Sequence, residues 1–153
     1  MRISRAAVYA IGALIQLADA PVGVPMPCSR LAKTGEMPER FLLQVLRNLV
    51  NNGLLKSTRG VDGGYSLSRP KNEISLLQIL EATDGPLTSI LPPLECIPQA
   101  AQVRLQETLR QITWDTCRHL VDVKLSDLPV HSTAKEVTAK ETPVESDSEE
   151  PGD

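Results

Sequence analysis

Aromatic side chains are nearly missing from this chain: one Trp, two Tyr and one Phe in 153 residues. A core with so few rings has to be built from Leu, Ile, Val and Ala. Cysteine is scarce as well, and Cys28, Cys96 and Cys117 stand far apart. An odd, dispersed set of thiols is no disulfide framework and has no closely spaced metal-ligand pattern. Histidine is limited to His119 and His131. No nucleophile–base–orienter set and no phosphate loop can be assembled, which speaks against an enzyme. No apolar run nears the ~20 residues that span a bilayer, and no charged-then-apolar leader opens the chain. The expectation is a cytoplasmic protein with reduced thiols and no membrane partner.

What is present is unevenly placed. Residues 1–71 hold ten Lys/Arg against four Asp/Glu, whereas residues 130–153 hold two against seven. A basic front half on a chain of net charge −3 points to a polyanion-binding face. The acidic end is rich in Ser, Thr, Glu and Pro, a composition that predicts disorder. Its opposite charge raises competition with DNA for the basic face, although solvation of the chain is the simpler role.

Punctuation divides the front half into short elements. Ser4 suits the cap of a first helix reaching about Ala18, with Val8, Ile11, Leu14, Ile15 and Ala18 as its apolar face. Pro27 and Gly35 bracket a short second helix, and Pro38 and Gly53 bracket a third. Leu42, Val45, Leu46 and Leu49 make the third helix's buried side. Two strand-like runs, Leu54 to Thr58 and Tyr65 to Ser68, then flank a glycine-rich tip. Ser75 and Gln78 can form the capping box of a fourth helix that Gly85-Pro86 ends. After a proline-rich loop, a long helix is expected from about Gln99 to Val121. The division is a winged helix-turn-helix domain over 1–85, a loop over 86–98, a dimerisation helix and terminal segment over 99–128, and an acidic tail over 129–153. The fold class is mainly α, with a two-stranded β wing and a long C-terminal helix.

The third helix and the hairpin carry the candidate site. At about 100° per residue, Arg40, Gln44, Arg47 and Asn51 share the stripe opposite the buried side. Arg40 and Gln44 are nearest the helix start, where recognition helices meet base edges, and Leu43 at the stripe's margin suits a thymine methyl. Arg47 and Asn51 suit the sugar–phosphate backbone or solvent. In the hairpin, Gly60, Gly63 and Gly64 permit conformations and close approaches that a Cβ blocks. Arg59 at the tip's base suits a narrow minor groove, with Lys56 and Arg69 placed to reach phosphates and Tyr65 at the hairpin's root. In the long helix, Leu105, Leu109, Ile112 and Leu120 recur along one stripe, widened by Val103, Trp114, Cys117 and Val121. So wide a stripe on so small a core predicts a homodimer, with packing on the chain's own domain as the alternative.

Several of these stretches carry a family resemblance. Ser4-Arg5-Ala6-Ala7-Val8-Tyr9-Ala10, Phe41-Leu42-Leu43-Gln44-Val45-Leu46, Gly53-Leu54-Leu55 and above all Arg59-Gly60-Val61-Asp62-Gly63-Gly64-Tyr65-Ser66-Leu67 resemble the Rrf2 family of bacterial winged-helix regulators. Ile74-Ser75-Leu76 and Val123-Lys124-Leu125-Ser126-Asp127-Leu128 are similar to its later landmarks. The resemblance implies a homodimer joined by the long helix, operator binding on double-stranded DNA and transcriptional control, usually repression.

Many members of that family hold an iron–sulfur cluster on three cysteines of the loop before the long helix. Here that loop offers only Cys96, too few ligands for such a cluster, so no cofactor and no metal is expected. Cys117 and His119 are two residues apart and point about 200° from one another on a helix. Three readings stay open: a palindrome-binding repressor; a redox- or metal-sensing regulator that uses Cys96 or an atypical cluster site; and, from another class, a winged-helix protein-interaction module without DNA binding.

Overall fold

Ser4 opens the first helix as its sequence suggests. In the computed structural model, which describes residues 2–21, 23–90, 92 and 96–129, the Ser4 hydroxyl accepts a hydrogen bond from the Ala7 amide and caps α1 (Arg5–Asp19). The same hydroxyl donates to the Asp84 carboxylate, tying the start of α1 to the end of α4 (Leu76–Asp84). The buried face of α1 is Ala7, Ala10, Ala13, Leu14 and Leu17. This corrects the expected stripe: Val8 is 54% exposed, and Ile11, Ile15 and Ala18 are only half-buried. Large aliphatics dominated the sequence pattern, but small ones decide the packing. Three alanines let α1 lie close against its neighbours, and that turns the inward face away from Val8.

Two short helices follow, α2 (Cys28–Thr34) and α3 (Glu39–Asn51). Pro27 and Pro38 sit at their N-caps, one position ahead of the helical residues. Gly53, just past α3, takes a positive φ of 69° and lets the chain turn into the wing. There β1 (Leu55–Thr58) pairs antiparallel with β2 (Gly64–Leu67) in the register Leu55↔Leu67 to Thr58↔Gly64. A 3-10 turn (Lys71–Glu73) leads to α4, whose N-terminus carries the reciprocal Ser75/Gln78 capping box, and Gly85 ends it at φ 84°.

The main core is aliphatic. Leu14, Leu31, Leu42, Leu46, Leu49, Leu54, Ile74, Ile79 and Leu125 are fully buried. Each such side chain is worth roughly 2 kcal/mol relative to exposure. Leu125 belongs to a terminal 3-10 turn (Leu125–Asp127) that follows α5 (Gln99–Asp122). It enters the core because the chain returns beside α4: Leu76 N donates to Val123 O, and Leu125 N donates to Ile74 O. A smaller cluster of Ala7, Leu80 and Leu120 packs the C-terminal part of α5 on α1 and α4. The expected disorder of the acidic tail falls, from residue 130 on, outside the described residues.

Candidate nucleic-acid interface

α3 is strongly two-sided. Leu42, Val45, Leu46 and Leu49 are buried, and Arg40, Gln44, Arg47 and Asn51 are all exposed on the other side. Among the described residues, no Lys or Arg of the first 71 forms an ion pair; the Arg110–Glu107 pair lies on α5. Among the described residues the cations of the helix-turn-helix and wing are therefore not neutralised by ion pairs. No side chain caps Pro38, so the first turn of α3 is also open to an acceptor from outside.

The wing is held by a third strand-like residue that sequence reasoning missed. Met26, in the loop before α2, exchanges both backbone hydrogen bonds with Tyr65, each 2.9 Å. This explains two glycines. A Cβ on Gly64, at φ 154°, would overlap the Met26 carbonyl, and one on Gly63 would overlap the Thr58 carbonyl. Gly60 turns the tip at φ 115°, accepting from the Gly63 amide at 3.0 Å. The Gly-Gly-Tyr run thus joins the wing to the helix-turn-helix, besides shaping a tip. A single isolated bridge leaves no periodic signal in a sequence, which is why Met26 escaped notice.

Tyr65 marks where three elements meet. Its phenol is pushed above its ordinary range, first by burial and then by Cys28, while the Arg47 guanidinium pulls it back. α3 and β1 pack together, and Leu54 N donates to Leu49 O at 2.9 Å, so the recognition-helix candidate and the wing are neighbours. The position differs from the expected one: Tyr65 pairs with Ser57, next to the tip, and not at the root. At the root, Ser68 N donates to Leu54 O and the Ser68 hydroxyl to Gly53 O. Cys28 Sγ reaches Glu39 O at 3.9 Å, and burial followed by Glu39 raises the pKa of its thiol.

Lys56 and Arg59 are exposed, on β1 and at the tip. Arg69 is not beside the tip. It follows the Ser68–Leu54 root bond, half-buried, with its Nε buried and unpartnered among the described residues. Arg30 and Lys33 add two exposed cations on α2. Their spacing of three on a short helix was the available signal for them.

The long helix divides its apolar residues among several directions. Leu120 is 9% exposed and packs with Ala7 and Leu80 of its own chain, and Leu109 is half-buried. Leu105 is 38% and Ile112 56% exposed on one flank. Val103, Trp114 and Val121 lie about 160–180° around the helix from Leu105 and are exposed too. The Arg118 guanidinium stands 5.8 Å from the Trp114 ring centroid.

The cysteines occupy three different elements: Cys28 opens α2, Cys96 is exposed before α5, and Cys117 is half-buried within α5. Among the described residues no three His, Cys, Asp or Glu side chains converge on a common point. The residues present do not fit an iron–sulfur cluster, and no step is assigned to one. No helix among the described residues is long and apolar enough to cross a membrane.

Comparison with known proteins agrees with this geometry. The chain is 43% identical over 90 residues to "Putative HTH-type transcriptional regulator Rv1287" of Mycobacterium tuberculosis, covering 59% of this chain and 56% of that protein. It is 28% identical over 114 residues to the HTH-type transcriptional regulator CymR of Bacillus subtilis, covering 73% and 83%. The solved structure of that CymR, the global cysteine regulator of B. subtilis, superposes with a TM-score of 0.67 at 29% identity, covering 83% of this chain and 95% of that one. An IscR structure from T. potens matches at TM-score 0.60 and 23% identity, a likeness of fold. The alignment spans little more than half the length of the mycobacterial relative. The model of a family described as Rrf2, iron-dependent transcriptional regulator, matches residues 3–131, and with a winged helix-turn-helix, a two-stranded wing and a long C-terminal helix on the page, the chain belongs to that family of transcriptional regulators, which are not enzymes.

Proposed function

We propose that this chain is a sequence-specific regulator that binds double-stranded DNA as a homodimer and represses transcription from a palindromic operator. The observation that carries the reading is the pairing of two basic elements whose cations form no ion pair among the described residues. The α3 helix that carries the Arg40/Gln44/Arg47/Asn51 stripe packs against β1 of the wing that bears Lys56 and Arg59, and Leu54 N donates to Leu49 O where the two meet. In the proposed complex α3 enters the major groove and reads base edges through Arg40 and Gln44. Arg59 enters the adjacent minor groove, and Lys56, with Lys33 of α2, meets phosphates. Gly60, Gly63 and Gly64 hold the wing in shape. A regulator of this kind acts in the cytoplasm.

Titration of labelled operator and random duplex across a salt series tests the reading. Each phosphate neutralised steepens the log–log salt slope by about 0.9. Binding that ignores salt would instead favour the protein-interaction module. Arg40→Ala should narrow the gap between operator and random duplex, and an unchanged ratio would remove Arg40 from base reading.

The dimer draws on the exposed flanks of α5, through Leu105 and Ile112 or through Val103, Trp114 and Val121. We also propose that this regulator works without the iron–sulfur cluster that the family resemblance implies, because the loop before α5 supplies only Cys96. Anaerobic reconstitution tests this: a stoichiometric coloured cluster that disappears in Cys96→Ala would overturn it. A single-thiol redox role for Cys96 is the second reading, favoured by that thiol's exposure.

A further inference from the structure

A pocket of about 280 Å³ opens between the C-terminal end of α1, the loop after it and α2. That is near the lower end of the ~300–1,000 Å³ range of small-molecule sites, so it suits a metabolite of few heavy atoms. Its polar groups are sorted by charge. On the α1 side stands an acceptor, Asp19; Gln16 beside it is turned toward α2, its Nε2 donating to Leu31 O at 3.3 Å. No basic residue occupies the last turn of α1, so its terminal carbonyls add to the negative potential there. On the α2 side stand donors, the Arg30 guanidinium and the Thr34 hydroxyl. Asp19 and Arg30 line one pocket, yet neither forms an ion pair with any described residue. Between the two ends lie apolar surfaces from Pro21, Val24, Pro25 and Met26.

We propose that this pocket binds a free α-amino acid. Its ammonium group sits against Asp19 and the carbonyl end of α1, its carboxylate against Arg30 and Thr34, and its side chain against Val24 and Met26. An isolated anion or cation would satisfy only half of the lining. A zwitterion satisfies both halves and leaves a short side chain for the apolar wall. The site is also placed to report its occupancy. Met26, which lines the pocket, exchanges both backbone hydrogen bonds with Tyr65 of the wing, and Arg30 belongs to the helix that precedes the recognition helix. Filling the pocket therefore moves or stiffens the strand residue on which the wing docks. This transmission rests on the DNA-binding reading above; the binding itself does not.

Isothermal titration of the full chain with each of the twenty free amino acids tests the binding, followed by the N-acetylated and carboxamide forms of any that binds. At least one amino acid should bind once per chain, and blocking either charged end should weaken it by about tenfold or more. Asp19→Asn and Arg30→Gln should each produce a loss of the same order, with unchanged melting temperatures because both side chains are exposed. No heat from any amino acid at millimolar concentration, or binding that survives both substitutions, would overturn the proposal. Amide NMR of Met26 and Tyr65 in the same titration reads the transmission without DNA: shifted resonances support it, and unmoved ones refute it. Failure of the DNA-binding reading would appear separately, in the salt titration of the unliganded chain.

Discussion

Arg59 and Lys56 are neighbours on one wing, yet they should fail differently when removed. Arg59 stands at the tip and is assigned to a minor groove whose width depends on sequence. Its loss should cost about 1–3 kcal/mol on operator, roughly a 5- to 150-fold weaker titration, with an unchanged melting temperature. Lys56 is assigned to phosphate, so Lys56→Ala should weaken operator and random duplex alike and lower the salt slope by about one. A selective loss for Lys56→Ala or a uniform one for Arg59→Ala would exchange the two roles. Cys28 offers a prediction in pH. Burial and Glu39 hold its folded pKa above the ordinary 9.0, so the neutral thiol belongs to the folded state. The linked stability is complete below about pH 9 and is lost as pH rises through the folded value. Denaturant midpoints between pH 8 and 10.5 should fall less steeply in Cys28→Ala than in the parent chain. At pH 8, alkylation followed by peptide mass mapping should label exposed Cys96 well before Cys28.

Elements were legible where local chemistry decides them. Ser4, the Ser75/Gln78 box, Gly53 and Gly85 each ended or started a helix as the sequence suggested, because capping and positive φ are short-range requirements. α3 was legible on both sides, since its buried leucines and exposed polar stripe obey one period. The inward face of α1 was not, because Ala7, Ala10 and Ala13 give a faint hydrophobic signal yet pack closest. Nor was the docking of the wing, which depends on Met26, some 39 residues away from Tyr65 along the chain. These differences set the expected mutational costs. Ser75→Ala removes one cap and should lower stability by about 1 kcal/mol. Gly64→Ala should lower it by more, because a methyl there meets the Met26 carbonyl and the backbone has no other place for it. Chemical denaturation of the two variants gives the order. If Gly64→Ala proves the milder change, the wing is not anchored through Met26.

At the scale of the whole molecule the question is which face of the long helix the proposed second copy covers. α5 has 24 residues, about 36 Å at 1.5 Å per residue, and only part of its circumference packs on its own α4 and α1. Leu120 belongs to the chain's own core, and the exposed Ile112 is assigned to the proposed dimer contact. Leu120→Ala should therefore lower stability by about 2–5 kcal/mol, the usual cost of emptying an aliphatic site, and leave the dimer intact. Ile112→Glu should do the reverse: melting of the isolated domain hardly changes, while light scattering after size exclusion reports a single chain. Two half-sites read by linked subunits gain affinity through effective concentration. The Ile112→Glu chain should then lose most of its preference for a full palindrome over a single half-site, while Leu120→Ala keeps it at temperatures where it is folded. If Ile112→Glu still runs as a dimer, the Val103/Trp114/Val121 flank becomes the interface to test, with Trp114→Glu as the decisive substitution because the ring is 59% exposed at its centre. A dimer that survives both would show that α5 does not join the copies.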